Sequence, residues 1–199
     1  MVRAVRVGVL ALLLVCMAPA IQAAEPIQVA VSTEVMVSPL HAWQKMQDFS
    51  VADKYVPGLT RTEIVTPQQN GIGASRRVYS SETEYLEETI IAWDEGQGFT
   101  IRLHRGAEPM SPFNRSEFRY HMQSMDNGNT RVTLGILLLM PLGSVGEWLG
   151  NMLARPALED ELTLVAAGLK HYYETGQPAT DADRERLAGS VSVLPASGE

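Results

Sequence analysis

The sequence predicts an α+β protein, an antiparallel sheet closed by one long C-terminal helix, and three observations carry that reading. From Leu59 to Pro141 no helical period occurs, only six strand-like runs separated by turn signals, which is the pattern of an antiparallel meander. Beyond Pro141 the period changes, and Leu158, Leu162, Val165, Leu169 and Tyr172 recur at helical spacing through a helix expected from Pro156 to Tyr173. A length of 199 residues with 45% hydrophobic and 20% charged side chains fits one globular domain and not two.

The N-terminus reads as a removable export signal. Arg3 and Arg6 precede the apolar run Val7–Met17, and Ile21-Gln22-Ala23 supplies a small residue for cleavage after Ala23, so that residues 1–23 are the signal. The run is too short for a permanent membrane span. Leu13-Leu14-Val15-Cys16 has the outline of a lipoprotein box, but Val15 is not small. Two of the 16 basic residues and none of the 23 acidic ones fall in the signal, so the formal charge changes from −7 to −9 (14 against 23) on its removal. The single cysteine leaves with it. The expected mature chain is therefore periplasmic, free of disulfides and supported by its core alone. Its acidic balance excludes a nucleic-acid partner, which would demand clustered Lys and Arg.

Ile27–Val37, rich in Val and Thr, reads as the first strand. Ser38-Pro39 caps and opens a helix reaching about Asp48, with Leu40, Trp43 and Met46 or Gln47 at helical spacing, and a second short helical segment covers Val51–Tyr55 before Pro57-Gly58 ends it. A turn centred on Glu82 sets Ala74 against Ile90, Arg76 against Glu88, Val78 against Leu86 and, on the opposite face, Arg77 against Glu87. A two-residue Glu95-Gly96 turn would pair Ile90 with Ile101 and Ala92 with Phe99. The apolar face then holds Ala74, Val78, Leu86, Ile90, Ala92, Phe99, Ile101 and Leu103, continued by Phe118, Tyr120 and Met122. The other face holds Ser75, Arg77, Glu87, Thr89, Thr100, Arg102 and His104.

Asp126-Asn127-Gly128-Asn129 is the strongest turn signal, yet a plain Asn-Gly turn would send Gly135, Leu137 and Leu139 inward where the residues favour Val132, Leu134, Ile136 and Leu138; a bulge reconciles the two. Ser144–Glu147 fits a capping box, with Trp148 and Met152 on one helical face. Gly176 ends the long helix, which is about 27 Å long at 1.5 Å per residue, and the Pro, Ala, Ser, Asp and Gly of residues 177–199 read as a disordered tail.

The segments Gly73-Ala74-Ser75-Arg76-Arg77, Leu86–Asp94, Leu153–Leu158 and Gly168–Gly176, in this order of strands and helices, resemble the START/Bet v 1-like (SRPBCC) superfamily, and within it the bacterial polyketide cyclase/dehydrase and lipid-transport proteins. The resemblance spans about residues 27–176. It implies a helix-grip fold, a seven-stranded curved antiparallel sheet wrapped around the long helix, with two short helices after the first strand. It also implies a cavity between sheet and helix for a hydrophobic molecule such as a lipid, sterol, quinone or polyketide. No universal catalytic set comes with it, and fold does not fix function.

Arg76 and Glu88 form the most informative pair, since both sit on the apolar face and match the Arg and Glu positions of the family pattern. Such a pair either anchors a polar head group, with Arg as a forked donor, or is an internal ion pair that fixes strand register. Arg77–Glu87 reads as a solvent-exposed pair of small worth. Tyr120, Trp148 and Met152 line a pocket or fill the core. His41, His104, His121 and His171 are solitary, with no partner at metal-ligand spacing, and His104 and His121 alternate with arginines on a solvated face. Gly71-Ile72-Gly73 lacks the third glycine and the helix of a dinucleotide site, and no GxSxG elbow occurs. Apolar groups on both faces of Leu137–Leu139 call for cover by the N-terminal helices through Trp43 and Phe49, or else form a patch for membrane, envelope or subunit contact.

These readings converge on an exported protein that binds a hydrophobic small molecule without a cofactor or metal. The apolar part would lie against Ile90, Ile101, Leu134, Trp148 and Met152, with Arg76, Glu88 or Tyr120 at the polar end. The alternatives are a cyclase or dehydratase using Glu88 as acid or base, and a structural envelope protein with a filled core.

Overall fold

The computed structural model describes residues 26–141 and 155–195. The expected signal, the Ser144–Glu147 box, Trp148 and Met152 lie outside them. Strand β1 (Ile27–Val35) leads through Ser38, whose side chain accepts from the His41 N–H, into helix α1 (Pro39–Met46), and a short 3-10 turn follows at Ala52–Lys54. The meander runs through β2 (Arg61–Ile64), β3 (Ser75–Tyr79), β4 (Tyr85–Asp94), β5 (Gly98–Arg105), β6 (Glu108–Pro109), β7 (Arg115–Ser124) and β8 (Thr130–Leu139). Helix α2 (Arg155–Thr175), helix α3 (Asp181–Ala188) and strand β9 (Val191–Val193) complete the described residues.

All neighbouring strands are antiparallel, in the order β2-β3-β4-β5-β7-β8-β1-β9, with β6 a short return on β5. The expected α+β architecture is therefore present, with nine strands among the described residues in place of seven. One extra strand is the two-residue β6 hairpin. The other, β9, belongs to the stretch read as a disordered tail: Thr180 and Asp183 form a reciprocal capping box that starts α3, and Val191–Val193 adds a strand to the free edge of β1. Hydrogen bonds from Thr180 and Arg186 hold the Asp183 carboxyl well below the usual carboxylate range. Composition hid this segment because its side chains are polar, while its order comes from capping and edge pairing.

The first hairpin has the expected register, Arg76 opposite Glu88 and Arg77 opposite Glu87. In the second, Ile90 faces Ile101 as expected, but a bulge between Ile90 and Ala92 shifts the rest, so Trp93 pairs Phe99 and Ala92 pairs Thr100. The bulge turns Ala92 outward and Trp93 into the core side, which a strict two-residue turn could not do. After Ser124 the apolar choice prevails: Met125 and Asn129 close a three-residue turn with Gly128 at φ 83°, and Val132 and Leu134 fall inside opposite Met122 and Tyr120.

Helix α2 buries Leu162, Val165, Ala166, Leu169 and Tyr173 against this inner face; Tyr173, not Tyr172, is the last buried member of the stripe. Trp43 and Phe49 pack in the same inner cluster as α2. They do not cover the opposite face, and Leu137 there stays partly exposed. Two close contacts set the helix position. A Cβ on Gly168 would stand 2.2 Å from the Tyr55 carbonyl oxygen, so only glycine permits this approach. Lys170 donates to the Glu34 carbonyl and the Glu174 carboxylate, both at 2.6 Å, clamping α2 to β1.

Candidate ligand-binding site

A polar cluster is enclosed in the apolar core between sheet and helices, and β3 and β4 supply its centre. Arg76 is 1% exposed and Glu88 9%, and the guanidinium Nε donates to Glu88 Oε2 at 2.5 Å. A second Arg76 N–H reaches the Phe49 carbonyl at 2.8 Å and a third points to the Tyr120 hydroxyl at 3.5 Å. The guanidinium also lies over the Phe49 ring, 4.1 Å from its centroid. The Tyr55 hydroxyl, brought in by the 3-10 turn, donates to the Tyr120 oxygen at 3.2 Å. Burial works against the Arg76 charge, but the Glu88 carboxylate beside it more than offsets this and raises the arginine above its ordinary value. Burial itself pushes the Tyr55 phenol up and the Tyr120 phenol well up, so both remain neutral hydroxyls.

The side chains packed around these groups are apolar. Ile90, Ile101, Leu134 and Tyr120 are all buried in one cluster with Phe99, Met122 and Leu169. The sheet register explains the grouping, because Phe99–Tyr120–Leu134–Val31 form one inward row across four strands and Ile90–Ile101–Phe118 the next. Six of the eight residues expected from sequence, Arg76, Glu88, Ile90, Ile101, Tyr120 and Leu134, thus share one interior. Trp148 and Met152 are the remaining two, outside the described residues.

Sequence reading missed Tyr55 and Phe49, whose approach to Arg76 depends on the loop after α1, and it missed Glu95. The Glu95 carboxylate accepts from both indoles, Trp43 at 3.1 Å and Trp93 at 2.7 Å, and so ties α1 to the β4–β5 turn at one end of the interior. On the outer face His104 is not solvated as expected but buried. It bonds Thr89 at 2.8 Å and the Gly106 carbonyl at 2.7 Å, under the β5–β6 return. Beside it burial pushes the Glu87 carboxyl up, but the Gly106 N–H and Arg77 outweigh that and hold it below its usual range.

The family model for polyketide cyclase / dehydrase and lipid transport matches residues 26–174. The chain belongs to this family. Solved structures agree at the level of fold. The crystal structure of Ara h 8.0201 aligns with a TM-score of 0.53 at 14% identity, covering 74% of this chain and 97% of that one. A Nitrosospira multiformis protein gives 0.54 at 14% identity, covering 75% and 98%, and a Thermus thermophilus protein 0.54 at 16% identity, covering 74% and 97%. No curated protein sequence matches the chain. The match ends at Glu174, so α3 and β9 lie beyond the matched residues.

Proposed function

We propose that this family member is an exported binding protein for a hydrophobic small molecule, held between the sheet and α2 with its apolar part against Ile90, Ile101 and Leu134. Family and fold point to hydrophobic-ligand binding or to cyclase-like chemistry on such a ligand. The observation that favours binding is the enclosed Arg76–Glu88–Tyr120–Tyr55 cluster, a fixed polar anchor set in an apolar interior.

Charge balance narrows the ligand. Glu88 already neutralises Arg76, so a carboxylate or phosphate brought to the cluster would leave one uncompensated negative charge out of water, at a cost of several kcal/mol. A neutral acceptor such as a quinone or ketone carbonyl carries no such cost and takes its hydrogen bond from the Tyr120 hydroxyl or from one of the five guanidinium N–H groups. The rival use of Glu88 as acid or base is disfavoured by the commitment of its Oε2 to Arg76.

The test is solvent extraction of protein purified from its own cells, followed by incubation of the recovered compound with wild type and Glu88→Gln. A neutral carbonyl compound that is bound and returned unchanged by both supports the proposal. Conversion by wild type and not by Glu88→Gln assigns an enzyme instead.

A further inference from the structure

The outer face of the sheet carries a groove of about 590 Å³ whose lining omits Arg76, Glu88 and Tyr55 and shares Tyr120 with their cluster. Its floor follows from the register. Ala30, Gly135, Arg119, Thr100 and Ala92 stand side by side on β1, β8, β7, β5 and β4, so one arginine rises from a row of four small residues. Small side chains on neighbouring strands leave a trough because nothing fills the space above the backbone. Leu137 lines the trough on β8, and Leu194 and Pro195, which follow β9, wall it on the β1 side. That wall is held in place by the Leu194 N–H on the Ala30 carbonyl at 2.8 Å. β9 and these two residues lie beyond the residues that the family model matches, and Leu194 and Pro195 close one side of the groove.

The charges in it are unequal in availability. Glu117 is held by Arg115 at 2.6 Å, and Asp94 accepts from the Gln97 side chain at 3.2 Å. Among the described residues Arg119 has no ion-pair partner, and His121, Thr100 and Thr133 stand near it as further polar groups. We propose that the groove binds a soluble amphipathic acid, its carboxylate on the Arg119 fork and its apolar body along the small-residue floor against Leu137, Leu194 and Pro195. This is the opposite preference from the neutral head group of the interior site, and it rests on Arg119 and not on the Arg76–Glu88 pair.

Decanoate below its micelle concentration is the probe, titrated into the full-length protein and followed by calorimetry and by amide NMR shifts. The expected result is one site with shifts centred on Gly135, Thr100 and Arg119. Arg119→Gln should weaken binding by about tenfold or more, the loss of one charge-assisted pair. Gly135→Leu should block the trough without disturbing the sheet, because a Cβ there meets nothing closer than 3.8 Å. Unchanged affinity and shift pattern in both variants would overturn the proposal. If Gly135→Leu lowers stability, Arg119→Gln alone decides. Binding to phosphatidylglycerol vesicles with no response to decanoate would also overturn it, assigning the arginine to a lipid surface.

Discussion

Replacing Glu88 with Leu would leave the Arg76 charge inside an apolar interior with, among the described residues, the Phe49 carbonyl and ring and the Tyr120 hydroxyl for company. Breaking one side of a buried ion pair costs about 3–5 kcal/mol, and Arg76, at 1% exposure, has no route to water without moving its neighbours. The single substitution should therefore lower unfolding stability by about 3–5 kcal/mol, as should Arg76→Met, which strands the carboxylate. The double variant Arg76→Met/Glu88→Leu removes both charges and fills similar volume. Its remaining penalty is the unpaired Phe49 carbonyl, about 1–2 kcal/mol. Urea denaturation followed by tryptophan fluorescence at pH 7 measures all three. A Glu88→Leu loss below about 1 kcal/mol, or a double variant as damaged as the two singles combined, would refute the reasoning that this pair is desolvated and mutually compensated.

Three further outcomes follow from the packing and the titrating groups. Gly168→Ala should cost about 3 kcal/mol in the same assay, because its Cβ would stand 2.2 Å from the Tyr55 carbonyl oxygen and push α2 off the 3-10 turn. The Tyr55, Tyr120 and Tyr173 phenols are raised above their ordinary value by burial, so their contribution is intact below about pH 10 and lost as pH rises toward the native values. Tyrosinate absorbance from these three should then appear only together with unfolding, and early, separate ionisation would contradict their enclosure. Glu87 is lowered in the native state, so its stabilisation is complete above about pH 4.3 and disappears as pH falls through the lower native value. Glu87→Gln should flatten the urea midpoint against pH below about pH 5, and an unchanged acid slope would count against the Arg77–Glu87–Gly106 network.

The sheet and its central pair were legible because the determinants are local. Residues spaced symmetrically about the turn at Glu82 set Arg76 opposite Glu88, and alternation on β3 and β4 then puts both on the face that α2 covers. The bulge near Ile91 was not legible, since nothing in Ile90-Ile91-Ala92-Trp93 marks an extra residue; it is the pull of Trp93 toward Trp43 and Phe99, 5.1 and 5.6 Å between ring centroids, that the geometry satisfies. Tyr55 and Phe49 escaped for a related reason: their roles depend on where a loop returns after α1. The C-terminal segment is not legible in composition because a hydrophobic-pattern reading is blind to segments ordered by caps and edge pairing, although Thr180-Asp181-Ala182-Asp183 does contain the capping box.

The central claim, an interior that holds a hydrophobic ligand by a neutral polar end, is tested most directly by native mass spectrometry of protein purified without detergent from its own cells. The account predicts one small apolar molecule per chain on the wild type, and its loss from a folded Arg76→Met/Glu88→Leu variant. A wild-type protein with no bound molecule, or a ligand retained equally by the double variant, would contradict it.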